Sequence, residues 1–187
     1  AEEALYLAER GLVVEVVPGV TAGLAASACA GVPLTHRAYA SAVAFVTGHE
    51  DPGKARSALD WEALAKVGTL CLYMGVKNLG RIAAKLGRHL RRDTPVAVVE
   101  WAGTPRQRTL TGTLADIAER ARKEGLRAPA LVLVGRTVEL HGKLNFFERR
   151  PLSGRRVVLT RPLAQVGPLA DGLRALGADV LCFPTIR

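Results

Sequence analysis

Four short stretches carry the residue types that could do chemistry, and each follows an apolar run. In "VVPGVTAG" (16–23) a Pro-Gly corner leads to Thr21, whose hydroxyl could cap a helix or bond a ligand. Ala22, Gly23, Ala25 and Ala26 follow, small enough to let another backbone or a ligand approach closely. In "VTGHEDPG" (46–53) His49 is either a pocket residue or a solvated loop histidine. In "LYMG" (72–75) Met74 is either core filler or a ligand contact, and Gly75 leaves a backbone edge open. In "VVEWAGTPRQR" (98–108) Trp101, Ala102 and Gly103 precede Arg106 and Arg108, which read alone as surface charge or as carboxylate binders. Open α/β sheets collect ligands at the carboxyl ends of their strands, so these ends are the expected site. Met74 and Ala102 are predicted to meet at one sheet end beside Thr21.

The elements needed to position them alternate along the chain. After an opening helix ("AEEALYLAERG") come "LVVEVV" as a strand and "TAGLAASACAG" as a helix. "SAVAFVTGH", "TLCLYMG", "TPVAVVEWAG" and "PALVLVG" read as core strands, apolar on both faces. Between them lie helices over "ALDWEALAKVG", over Leu79, Ile82, Ala83, Leu86 and Leu90, and over Leu114, Ile117, Ala118 and Ala121. Thr113 and Asp116 are spaced as a capping box for the last of these, after a strand-like "TLTGT". This is an α/β layer covered on both faces. "ELHGKLNFFERRPLSG" breaks the rhythm and reads as a linker. Beyond it "RRVVLT", a helix with Leu169, Leu173 and Leu176, and "ADVLCFPTIR" make one βαβ unit, with nowhere to bury its second sheet face.

Composition excludes several function classes. The 187 residues are 49% hydrophobic with a formal charge of +9. Residues 41–150 hold 19 basic against 11 acidic groups, so the positive excess sits in the middle of the chain and suits an anionic small-molecule partner. The basic run "RIAAKLGRHLRRD" lacks the interleaved aromatic residues of a nucleic-acid binder. Cys29, Cys71 and Cys182 stand far apart without metal-ligand spacing, so no metal site is expected and buried thiols of a cytoplasmic protein are. No apolar run is long enough for a membrane span. There is no GxGxxG, P-loop, GxSxG or paired-carboxylate pattern.

In order, "VVPGVTAGLAASACAGVPLTHRAYASAVAFVTGH", "LYMGVKNL", "PVAVVEWAGTPRQRTLTGTLADI" and "PALVLVG" resemble the tetrapyrrole (corrin/porphyrin) methylase superfamily, and within it the uroporphyrinogen-III C-methyltransferases. The resemblance covers about residues 1–145. Residues 152–187, through "VVLTRP", "LGADV" and "FPTI", resemble the opening of a uroporphyrinogen-III synthase. The resemblance implies residues 1–40 as the tail of a first methylase domain, 41–145 as the second, 146–151 as a linker, and 152–187 as the start of a truncated synthase-like domain. It implies S-adenosyl-L-methionine (SAM) as cofactor, held by Thr21, Ala22, Met74 and Ala102. It also implies uroporphyrinogen III as substrate, Arg106, Arg108 and His49 near it, a homodimer, and methylation to precorrin-2 for siroheme or cobalamin. Catalytic acid/base groups are then expected upstream of Ala1, none in this chain, leaving these residues inactive alone. A synthase activity, a non-catalytic binding or dimerisation fragment, and a nucleic-acid binder are the alternatives.

Overall fold

The computed structural model describes residues 2–48 and 59–185. Its centre is a five-stranded sheet of β1 (Val43–Thr47), β2 (Thr69–Tyr73), β3 (Pro95–Glu100), β4 (Arg108–Thr113) and β5 (Ala130–Val134), in the order β1-β2-β5-β3-β4. β1 runs parallel to β2, whereas β5 is antiparallel to both its neighbours and β4 is antiparallel to β3. Consequently β1, β2 and β3 all finish at the same end of the sheet, where β5 begins. All four expected core strands are present. In β2, β3 and β5 the lack of polar alternation follows from burial on both faces, whereas the edge strand β1 leaves Phe45 47% exposed. Leu70, Leu72, Val96, Val98, Val132 and Val134 fill one core, while Cys71, Ala97, Val99, Leu131 and Leu133 fill the other.

Helices cover each face. On the first lie α3 (Trp61–Ala65), α4 (Leu79–Leu86) and α5 (Ile117–Lys123), with α1 (Glu2–Ala8) and α2 (Ala22–Ala30) earlier in the chain. Helix α4 buries Leu79, Ile82, Ala83 and Leu86, the spacing that the sequence displays, and Arg81 faces out. Asp60 caps α3 by accepting from the Ala63 N–H at 3.0 Å. Asp116 accepts from the Thr113 N–H at 2.7 Å and from its hydroxyl at 3.0 Å, the return half of the expected box. The helix nevertheless starts only at Ile117, with 114–116 in a turn.

Helix α2 covers the second face with Gly23, Ala26, Ser27 and Ala30. A Cβ on Gly23 would stand 2.5 Å from the Phe45 ring, 2.7 Å from the Tyr73 hydroxyl and 2.9 Å from the Cys71 sulfur. The small-residue stripe is therefore first a packing device, letting α2 lie close on β1 and β2.

Two expectations are corrected. "LVVEVV" is not a strand, because no described strand lies beside it to satisfy its backbone; Val13 is 99% exposed and Val17 83%. The stretch read as a linker is ordered where it begins: a 3-10 turn (Arg136–Leu140) runs into it, α6 (His141–Leu144) lies within it, and His141 bonds the Ala30 carbonyl at 2.6 Å. The βαβ unit is present as β6 (Arg156–Leu159), α7 (Leu163–Ala175) and β7 (Asp179–Cys182), its strands parallel. Yet α7 turns Val166, Ala170 and Leu173 inward rather than Leu169 and Leu176, which are exposed. Val158 and Leu181, direct partners across the two strands, are half-exposed, so the second face of this small sheet is open as expected.

Candidate ligand cleft

At the sheet end where β2 and β3 finish, an open cleft of about 430 Å³ is lined by Ala22, Tyr73, Met74, Val99, Trp101, Ala102, Thr104 and residues 128–131. That volume lies in the range of small-molecule sites. Ala22 enters from the first turn of α2, Met74 from the end of β2 and Ala102 from the end of β3. Three positions far apart in sequence thus share one wall.

Two backbone features make this possible. Met74 (φ 54°) and Trp101 (φ 51°), each directly after its strand, are the two non-glycine residues with positive φ among the described residues. L-residues enter this region at a cost of roughly 1–2 kcal/mol, and such residues gather at ligand clamps. Each turns the chain sharply off the sheet and aims a large side chain at the cleft. Met74 is 61% exposed there, so it is not core filler.

Thr21 occupies the N-cap position of α2, but its side chain does not cap. Its hydroxyl pairs with the Tyr73 hydroxyl, which also accepts the Gly23 N–H at 3.0 Å. The Thr21 side chain is therefore tied to the edge of the cleft rather than to its own helix.

The two arginines part company. The Arg106 guanidinium lies 3.8 Å above the Trp101 ring at the cleft rim and makes no ion pair among the described residues. Arg108 is engaged elsewhere: its Nε and Nη2 donate to Glu100 Oε2 at 2.9 and 2.7 Å. Glu100 is buried, and its other oxygen accepts the Arg127 N–H at 2.8 Å. Arg108 is thus held by Glu100, its direct partner across the β3–β4 hairpin. His49 lies outside the described residues.

Sequence reasoning missed Tyr73 and Gln107. Tyr73 sat in the quoted "LYMG", and strand alternation places it on the face of Cys71, toward α2. Gln107 braces the loop after β3 from behind. Its oxygen accepts the Gly103 N–H at 2.8 Å, and its amide donates to Cys29 O at 3.3 Å and Glu148 Oε1 at 3.1 Å. Glu148 also accepts from Thr109 and Asn145 at 2.8 and 2.9 Å. Burial pushes the Cys71 thiol up to about 11 and raises that of Cys29 above its ordinary value. Among the described residues no cluster could hold a metal ion, and no helix is long and apolar enough to cross a membrane.

A mixed sheet covered on both sides by helices, with a cleft at its strand ends, defines an α/β protein. The chain belongs to the tetrapyrrole (corrin/porphyrin) methylases, whose family model matches residues 1–118. A uroporphyrinogen-III C-methyltransferase of Bacillus subtilis is 40% identical over 188 residues, covering 100% of this chain and 39% of that protein. An S-adenosyl-L-methionine-dependent uroporphyrinogen III methyltransferase of Methanosarcina barkeri is 51% identical over 142 residues, 75% of this chain and 56% of its own length. The crystal structure of uroporphyrin-III C-methyl transferase from Thermus thermophilus complexed with S-adenyl homocysteine superposes with a TM-score of 0.62. It is 40% identical and shares 74% of this chain and 59% of its own. The chain spans from 39% to 59% of the length of these relatives.

Proposed function

We propose that this chain supplies one wall of the cofactor site of a SAM-dependent uroporphyrinogen-III C-methyltransferase. The observation that carries the reading is the convergence of Ala22, Met74 and Ala102 on one cleft, with Thr21 bonded to its edge. The residues fit such a cofactor. An apolar floor of Val99, Trp101 and Leu131 suits a nucleoside ring, and small side chains at 22 and 102 leave backbone accessible. When bound, the cofactor supplies a methyl group on a sulfonium, a good leaving group that needs no acid or base from this wall. Tyr73 is the one titratable residue lining the cleft among the described residues. The work of this segment is therefore to bind, to orient and to exclude water.

The substrate carries many carboxylates, and the unpaired guanidinium of Arg106 at the rim suits one of them. Arg108 does not enter the proposal. By the same reading the chain carries the tail of a first methylase domain and a second one, α2 packing with the second, in a homodimer. Residues 152–187, which contain the βαβ unit, open a synthase-like region on the sequence resemblance. Titrating S-adenosylhomocysteine calorimetrically into the full-length protein tests the reading. Saturable one-site binding that weakens when Ala102→Leu fills the cleft supports it. Binding untouched by that substitution would remove the cofactor from this cleft.

A further inference from the structure

The geometry points to Tyr73 as a positioning residue for the cofactor, a role that rests on the methyltransferase reading above. Tyr73 ends β2, packs its ring against the second core and tilts toward Phe45 with ring centroids 6.2 Å apart. Its hydroxyl stands where three things meet: the first turn of α2, the Thr21 side chain and the cleft. The first N–H groups of a helix have no intrahelical partner, and the Tyr73 oxygen satisfies that of Gly23 at 3.0 Å. A phenol has one hydrogen and two acceptor sites. With one acceptor site taken by Gly23, the remaining capacity goes to the Thr21 hydroxyl.

Two consequences follow for a ligand in the cleft. The α2 N-terminus, carrying Ala22, is pinned to the end of β2, so the width between Ala22 and Met74 is set by one side chain. The Thr21 hydroxyl, held by Tyr73 instead of capping its helix, keeps its remaining hydrogen-bonding capacity for a polar group of the ligand. Gly23 is bound into the same arrangement, because any Cβ there would displace the Tyr73 hydroxyl. Tyr73 thus acts on the cofactor through Thr21 and Ala22, not on the reacting carbon.

The test uses Tyr73→Phe, which keeps the ring and deletes the oxygen, in the full-length protein. S-adenosylhomocysteine should bind about tenfold more weakly, as loss of one or two hydrogen bonds predicts. In turnover the KM for SAM should rise by a similar factor while kcat stays within about twofold. Thr21→Val should reproduce the loss, Thr21→Ser should keep binding within about twofold of wild type, and the double variant Thr21→Val/Tyr73→Phe should be no worse than either single one. A structural role alone would lower the melting temperature without this KM–kcat split. Wild-type binding that Tyr73→Phe leaves within about twofold overturns the inference alone. A wild-type protein that does not bind S-adenosylhomocysteine overturns the functional reading and this inference with it.

Discussion

Replacing Arg108 by Ala should unfold the protein more readily without touching its affinity for substrate. Glu100 is 6% exposed, and its carboxylate has three described donors: two from Arg108 at 2.9 and 2.7 Å, and the Arg127 N–H at 2.8 Å. Arg108→Ala strips two of the three and leaves a buried negative charge beside one backbone donor. Breaking a fully buried pair costs about 3–5 kcal/mol. The Arg108 side chain is 52% exposed, so water partly replaces it, and the expected loss is about 2–3 kcal/mol. At ~2–4 °C per kcal/mol for a domain of this size, the melting midpoint should fall by about 5–10 °C. Urea denaturation followed by far-ultraviolet circular dichroism measures the loss directly. Arg106→Ala is the internal contrast. It forfeits only an exposed stacking contact of about 0.5–1 kcal/mol, yet should raise the KM for the tetrapyrrole. If Arg108→Ala proves as stable as wild type while raising that KM, the hairpin pair is not what holds Arg108, and the substrate role expected from sequence returns.

Gly23→Ala should destabilise by up to about 2 kcal/mol in the same assay. Overpacking against Phe45, Tyr73 and Cys71 costs ~1–3 kcal/mol and outweighs the ~1 kcal/mol that alanine brings to a helix; a gain in stability would contradict this packing. Met74→Gly should leave stability within about 1 kcal/mol, because relief of the positive φ offsets the added freedom of the unfolded chain, but should weaken S-adenosylhomocysteine binding. Undiminished binding would show that the exposed side chain contributes nothing. With its thiol near 11, Cys71 is ionised in only about one molecule per thousand at pH 8, so iodoacetamide should modify it only after urea is added, as read by peptide mass mapping. An unfolded thiol ionises near ~8.5. The contribution of Cys71 to stability is therefore whole below that pH and is lost as pH rises from there toward 11, because the unfolded chain ionises first.

The core strands were legible because residues buried on both sides of a sheet cannot alternate with polar ones. Leu70–Cys71–Leu72 shows why: successive side chains serve the two opposite cores. The cleft was legible because strand ends collect ligands, and Ala22, Met74 and Ala102 do meet. Strand direction was not, since an apolar run such as "ALVLV" reads the same whichever way its neighbours run; β5 lies antiparallel to both. Nor was the fate of residues 12–17, whose β-branched composition describes a strand only when another strand is present to pair with it. The Glu100–Arg108 pair was hidden for a different reason. Seen singly the arginine is surface charge, and only the β3–β4 register sets it opposite a buried carboxylate.

The same register explains why the site forms where it does. β2 and β3 are not neighbours; β5 lies between them and runs the other way, so the end at which they stop is the end at which it starts. Met74 and Trp101 then leave the sheet on either side of the beginning of β5, both through the same positive-φ turn. Trp101 is secured at that point, its N–H donating to the Pro129 carbonyl at 3.1 Å just ahead of β5. The floor between the two turns is apolar because it is the end of the second core, formed by the buried Val99 and Leu131. Among the described residues, side-chain hydroxyls come to it from Tyr73, which is paired with Thr21, and from Thr104. A ligand seated here must therefore present an apolar or aromatic face downward and hydrogen-bonding groups along its edges. That division of surface, fixed by one antiparallel strand inserted between two that run together, suits the nucleoside part of the proposed cofactor.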